Sequence, residues 1–207
     1  MSVITGPPLE KGAIVVVAAD GSKRSLSFQY NPDTLHRTLE PNTVGGRPGS
    51  RSRAVRFAGA ATETITLDCR FSAVDAIDAG RLGDGVAPQL AALAILTYPS
   101  SSDVLSAQRM LDAGTVEVLP AIADRLLFVW GGTRVVPVQI MSATIVEEMY
   151  DRHLIPVLAT VTLTLRAVSY SDVDETNQSF SEFIAYQQKL ESLAAQAFTA
   201  GGGGQGS

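Results

Sequence analysis

Side chains that carry chemistry are scarce in this 207-residue chain. It has one cysteine, Cys69, and two histidines, His36 and His153. A lone cysteine excludes an internal disulfide and leaves the redox compartment open. It cannot form a zinc-type cluster with two separated histidines, and neither histidine has an H-E-x-x-H spacing. Cys69 falls on the apolar face of a predicted strand, where a thiol acts as a small hydrophobe. No P-loop and no G-x-S-x-G elbow is present. Glu147 and Glu148 are adjacent in a strand-like segment, so they point to opposite faces and cannot act as an acid–base pair. These gaps read as a chain that is not an enzyme and takes no metal and no cofactor.

Long apolar runs are missing too. The longest, Ala13 to Ala19, is too short to span a bilayer. The N-terminus lacks a basic start followed by an apolar stretch, so no secretory signal is read. Cytoplasmic synthesis and assembly, without direct membrane insertion, are the expectation. A net charge of -5 argues against bulk attraction to nucleic acid. The stretch from Arg47 through Arg56 has no aromatic on which a base could stack.

What is there is a folding chain: 45% hydrophobic and 18% charged residues exclude a disordered composition. Charge is uneven. From His36 to Thr62 the only acid is Glu40, against Arg37, Arg47, Arg51, Arg53 and Arg56. The later part leans acidic through Glu147, Glu148, Asp151, Asp172, Asp174, Glu175, Glu182 and Glu191. The two stretches are either a head-to-tail contact between copies or a solvated loop and a solvated helix face.

Strand signals dominate. Thr64 to Phe71 alternates, with Ile65, Leu67, Cys69 and Phe71 on one face and Thr64, Thr66, Asp68 and Arg70 on the other. Ile155 to Ala167 repeats the pattern with Val157, Ala159, Val161, Leu163 and Leu165 against a threonine-rich face. Further strands are predicted at Ala13–Ala18, Ser25–Tyr30, Val116–Leu119, Arg125–Trp130 and Arg134–Val146. Gly131-Gly132-Thr133 reads as a hairpin turn. Pro137 inside its strand implies an edge, a bulge or a later start. Pro88–Tyr98 and Ser102–Ala113 read as a short helical pair. A longer helix follows Ser179 and Glu182, which have capping-box spacing. Its apolar stripe is Phe180, Phe183, Ile184, Leu190, Leu193, Ala194 and Ala197. The division is a β domain over 1–170 with a mobile loop at 41–52, a helical extension over 171–199 and a glycine-rich tail over 200–207.

Three segments together resemble one family. The first is Phe28-Gln29-Tyr30-Asn31-Pro32, with Leu35 and Arg37. It resembles the F-x-[FY]-N-P segment of the tube-domain family of contractile injection systems, whose members often carry a LysM module. The second is Phe57-Ala58-Gly59 leading into the Thr64–Phe71 strand. The third is Leu127-Phe128-Val129-Trp130-Gly131, then Met141-Ser142-Ala143, Glu148-Met149-Tyr150-Asp151 and Ile155-Pro156-Val157-Leu158-Ala159. It is similar to the family's W-G hairpin, M-[FY] strand end and P-x-x-A strand. The likeness runs from Lys11 to Val168. Leu158 stands where the family commonly has arginine. No LysM module follows, so a separate protein is expected to supply its anchoring role.

The resemblance implies a mainly β (α+β), tail-tube-like fold: an antiparallel β-sandwich or split barrel with short flanking helices and a C-terminal helix. It implies a homo-hexameric ring in the baseplate of a phage-tail-like injection particle, released or intracellular. That ring would adapt the spike to the inner tube, with spike protein, inner-tube protein and other baseplate subunits as partners. The alternatives are an ordinary inner-tube subunit and a free-standing β-sandwich binding module. Candidate interface residues are Tyr30, Asn31, Pro32, Arg47, Arg51, Arg53, Arg56, Trp130, Gly131, Met149, Tyr150, Phe180 and Phe183. The 41–52 loop and the C-terminal helix are expected to order on assembly.

Overall fold

A computed structural model describes residues 10–18, 20–45, 54–78, 80, 83–114 and 123–201. The predicted strand at Val116–Leu119 lies outside them, as do Arg47, Arg51 and Arg53.

The chain runs β1 (Ala13–Val17), β2 (Lys23–Ser27), β3 (Leu35–Glu40), β4 (Thr43–Val44), β5 (Arg56–Phe57) and β6 (Thr62–Ser72). Then come α1 (Val74–Asp78), α2 (Ala87–Ile95), α3 (Ser101–Asp112), β7 (Arg125–Trp130), β8 (Arg134–Tyr150), β9 (Pro156–Ala167) and α4 (Gln178–Gly201). Seven strands form one antiparallel sheet in the order β2-β1-β7-β8-β9-β6-β3, and β4 pairs with β5 alone. This is the expected mainly β architecture, a sandwich that does not close into a barrel. Among the described residues, no helix is long and apolar enough to cross a membrane.

Alternation places the core. Ile65, Leu67, Cys69 and Phe71 of β6 lie beside Leu165, Leu163, Val161 and Ala159 of β9, and all eight are buried. Burying these side chains on a common face is the main drive for pairing the two strands. Val136 and Val138 of β8, Phe128 of β7 and Ile14 of β1 extend the same core. Leu90 and Leu93 of α2 and Phe183 and Tyr186 of α4 complete it.

Phe28 to Tyr30, expected as the end of the second strand, lie outside β2. The β1–β2 ladder ends at Ala13↔Ser27, and the chain then crosses toward β6. Gln29 mimics a strand partner: its amide donates to Ser72 O at 2.7 Å, and its oxygen accepts from Ser72 N at 2.8 Å. Tyr30 forms a single bridge with Arg70. Asn31 holds the start of β1, accepting from Gly12 N and donating to Glu10 O. The segment thus links the two edges of the folded sheet.

Three local expectations change. Pro137 sits in an inner strand opposite Leu127. Its carbonyl accepts from Val168 N, where β9 has ended, so its missing N–H falls at the end of that ladder. The capping box does not form. Asn177 Oδ1 accepts from Ser179 N at 2.9 Å, which leaves Ser179 inside the helix and Glu182 facing Arg125 at 3.5 Å. The 41–52 stretch is not loop throughout, because Thr43 and Val44 pair with Phe57 and Arg56 as a small ribbon.

Gly85 fixes the helical pair to the sheet. Its φ is +61°, and a Cβ there would run into the Pro156 carbonyl oxygen, which already accepts from Val86 N at 2.9 Å. Gly85→Ala adds both left-handed strain and a backbone clash. It should destabilise the chain by about 2 kcal/mol or more, read as a lower urea midpoint at unchanged slope.

Candidate assembly surface

One charged group lies deep on the core face. Glu63 precedes Ile65 by one strand period, so alternation carries its carboxylate inward, and it is 3% exposed. Arg37 of β3 donates to it through Nε at 2.7 Å, and the Tyr186 hydroxyl donates to it at 3.0 Å. Arg37 also donates to the Tyr186 oxygen at 2.7 Å. The three groups satisfy one another and tie β3, β6 and α4 together. Tyr186 is raised to about 12, first by burial and then by the Glu63 carboxylate. Arg125 and Lys23 draw on Glu182, but burial wins and raises its carboxyl above the ordinary value; Oε2 has no described partner.

The aromatic cluster Tyr170, Phe180, Phe183 and Tyr186 continues this seat, with ring centroids 5.8 to 6.4 Å apart. The first half of α4 therefore packs on its own subunit. Beyond it, Leu190, Leu193 and Phe198 stay exposed.

β8 has a free side. β7 pairs with it only from Arg134 to Val138, while β9 pairs with it out to Tyr150. No described strand covers the β7-facing edge of the remainder. A bulge between Ile140 and Ser142 turns the strand as it leaves β7. Met141, Val146, Met149 and Tyr150 are exposed along this part. An unpaired, apolar strand edge is a template for another chain.

The β8–β9 turn sharpens the point. Asp151 Oδ1 accepts from His153 N at 2.7 Å and from Ile155 N at 2.8 Å. Its carboxyl is held below the ordinary value, chiefly by the Ile155 N–H. The turn puts Leu154 at φ +62° with 79% of its surface exposed. A leucine pays for that conformation and leaves its side chain in water, where glycine would cost nothing in strain.

The β4–β5 ribbon is the other apolar projection. Phe57 is 84% exposed, and Leu39, Val44 and Val55 are exposed beside it. A two-stranded ribbon this short is not stable in water unaided.

The candidate residues fall into separate places. Trp130 stacks on Phe128 with centroids 6.0 Å apart and lies over Gly12, where a Cβ would meet its ring at 2.5 Å. Gly131 takes φ +62° in the single 3-10 turn after it. Asn31 and Pro32 belong to the crossover, Phe180 and Phe183 to the α4 seat. Tyr30, Arg56, Met149 and Tyr150 are exposed. Glu147 stands opposite Ala159, while Glu148 accepts from Thr160 on the other face at 2.8 Å. Among the described residues, no group of three or more His, Cys, Asp or Glu could hold a metal. Glu63, Tyr186 and Leu154 were not singled out from sequence. Extending the β6 alternation two residues back would have exposed Glu63 as an inward charge in need of partners.

A scan against protein-family models matches none, and no curated protein matches the chain. Among solved structures, it is similar to a chain from the tail of an empty GTA particle with C6 symmetry. Identity is 12% and the TM-score 0.33, covering 75% of this chain and 90% of that one.

Two measurements follow. The Tyr186 shift from 10 to about 12 means the folded state holds the phenol proton more tightly than the unfolded chain. Its stabilisation is full below pH 10 and is lost as pH rises to about 12. Tyr150 is also raised, first by its hydrogen bond with Glu147, so an alkaline titration of tyrosinate absorbance should show two late-ionising tyrosines, and Tyr186→Phe should remove one of them. Leu154→Gly should leave the isolated chain as stable or more stable, by up to about 1 kcal/mol in denaturant melts.

Proposed function

We propose that this chain is a non-enzymatic structural subunit of a phage-tail-like contractile injection particle, forming a homo-hexameric ring that adapts the spike to the inner tube. The exposed, strained Leu154 at the β8–β9 turn is the observation that carries the structural reading. Strain of this kind persists where a contact made in the assembled state repays it. The exposed β4–β5 ribbon and the exposed Met141, Val146, Met149, Leu190, Leu193 and Phe198 add apolar surface that suits a subunit better than a solitary monomer. The place in the baseplate rests on the ordered motifs from Lys11 to Val168, which resemble the tube-domain family.

On this reading the spike protein, the inner-tube protein and other baseplate subunits are its neighbours. Asp68 and Thr162, whose side chains bond at 2.6 Å, belong to the outward polar rows of β6 and β9, which stay wet in the ring.

The test is sedimentation of lysate from the source cell, with quantitative mass spectrometry of the particle fraction. A small fixed ratio to sheath and tube proteins is the expected result. Abundance equal to the main tube protein would make the chain an inner-tube subunit. Recovery only in the soluble fraction, with particles pelleting without it, would replace both with a free-standing binding module.

A further inference from the structure

Three strands finish at one end of the sheet. β6 ends at Ser72 and β8 at Tyr150, and β9 begins at Pro156. Ser72 lies opposite Leu158, and Tyr150 opposite Pro156. The start of α2 closes on the same place, where Val86 N donates to Pro156 O. Residues directly opposite on paired strands share a face. Val146 stands opposite Thr160, Thr160 opposite Arg70, and Tyr30 bridges Arg70 beyond it. Val146 and Tyr30 therefore share the outward polar face, in one row about 15 Å across at about 5 Å per strand. Met149 takes the next row, opposite Leu158.

This corner is apolar on a face otherwise rich in threonine. Tyr30, Val146, Met149 and Tyr150 are each 48% to 52% exposed, and Leu154 tops the turn beside them. The Asp151 bonds to His153 N and Ile155 N fix that turn, so a partner meets a surface already ordered.

Charge gathers at the same end. Residues 68–85 and 144–160 build it, and they hold seven acidic and three basic residues. Most of the chain's net charge of -5 therefore lies here. Two such ends brought together would repel, which disfavours a symmetric contact between copies. A surface with an apolar centre and basic flanks matches both features.

We propose that this corner docks a different protein through a segment whose apolar centre is flanked by lysine or arginine. Leu154 enters the partner's apolar centre, Met149 and Tyr150 pack beside it, and Glu147 and Glu148 face the flanking cations. The inference gives the chemistry of one neighbour and rests on the subunit reading for where that neighbour resides.

The experiment uses the full chain in the source cell, with photoactivatable p-benzoylphenylalanine in place of Met149. A control carries it in place of Ser25 on β2, at the far edge of the sheet. Mass spectrometry of irradiated particles identifies the linked peptide. The expected result is one other protein, linked at an apolar segment with basic flanks. Leu154→Asp should cut the yield roughly tenfold or more, as loss of a central anchor does. Its melt should stay near wild type, because aspartate tolerates the left-handed turn. Glu147→Lys with Glu148→Lys should cut the yield several-fold, and added salt should weaken the wild-type link. A link to another copy of this chain would overturn the proposal. So would a partner segment without basic flanks, an equal link from Ser25 or an unchanged yield with Leu154→Asp. No link from Met149 would also overturn it; where the particles still contain the chain, the subunit reading stands. Particles that lack the chain, with the same charge-dependent link in the soluble fraction, would do the reverse.

Discussion

A carboxylate buried among strand side chains has to be matched where it lies, and Glu63 sets that condition for this fold. Its desolvation would be costly if Arg37 and the Tyr186 hydroxyl were not both in reach. Arg37 belongs to an edge strand and Tyr186 to a helix more than a hundred residues later, so meeting the condition fixes both. The aromatic cluster around Phe183 packs only when α4 lies as Tyr186 requires. Much of the placement of β3 and α4 thus follows from one inward-pointing acid.

Along its middle the sheet is paired on both sides, and toward its margins the described residues offer fewer partners. β9 has partners on both sides, and its inward residues are all buried. β8 is shared between two roles. Its first part belongs to the core beside β7, and past the bulge it pairs with β9 and carries exposed methionines and a tyrosine. The same chain supplies a ribbon too short to stand alone and a leucine held in a left-handed turn. The left-handed leucine costs strain and the ribbon has little to stabilise it alone, so both are features that packing within the subunit does not account for.

Much of this was legible beforehand. β6, β7, β9 and the helical pair announce themselves through alternation, Pro88 and Gly114. Other elements were not legible for local reasons. In Leu35–Glu40 the alternating face is Leu35, Arg37 and Leu39, and the arginine hides the pattern because its acid lies on another strand. Thr43–Val44 is two residues amid turn chemistry, and only its partner makes it a strand. The capping box failed because Asn177, one step outside the box, reached the free N–H first. Leu154 gave no signal, since a positive φ follows from the turn that Asp151 builds.

The sequence by itself determined which faces are apolar, where the long strands run and that the usual catalytic constellations are missing, because these depend on residue order over a few positions. Tertiary structure decided what each edge meets. Pairing of β6 with β9, the early departure of β7 from β8 and the seating of Tyr186 on Glu63 join residues far apart in the chain. Only those long-range contacts separate a buried strand face from an exposed one, and with it the core from the surface.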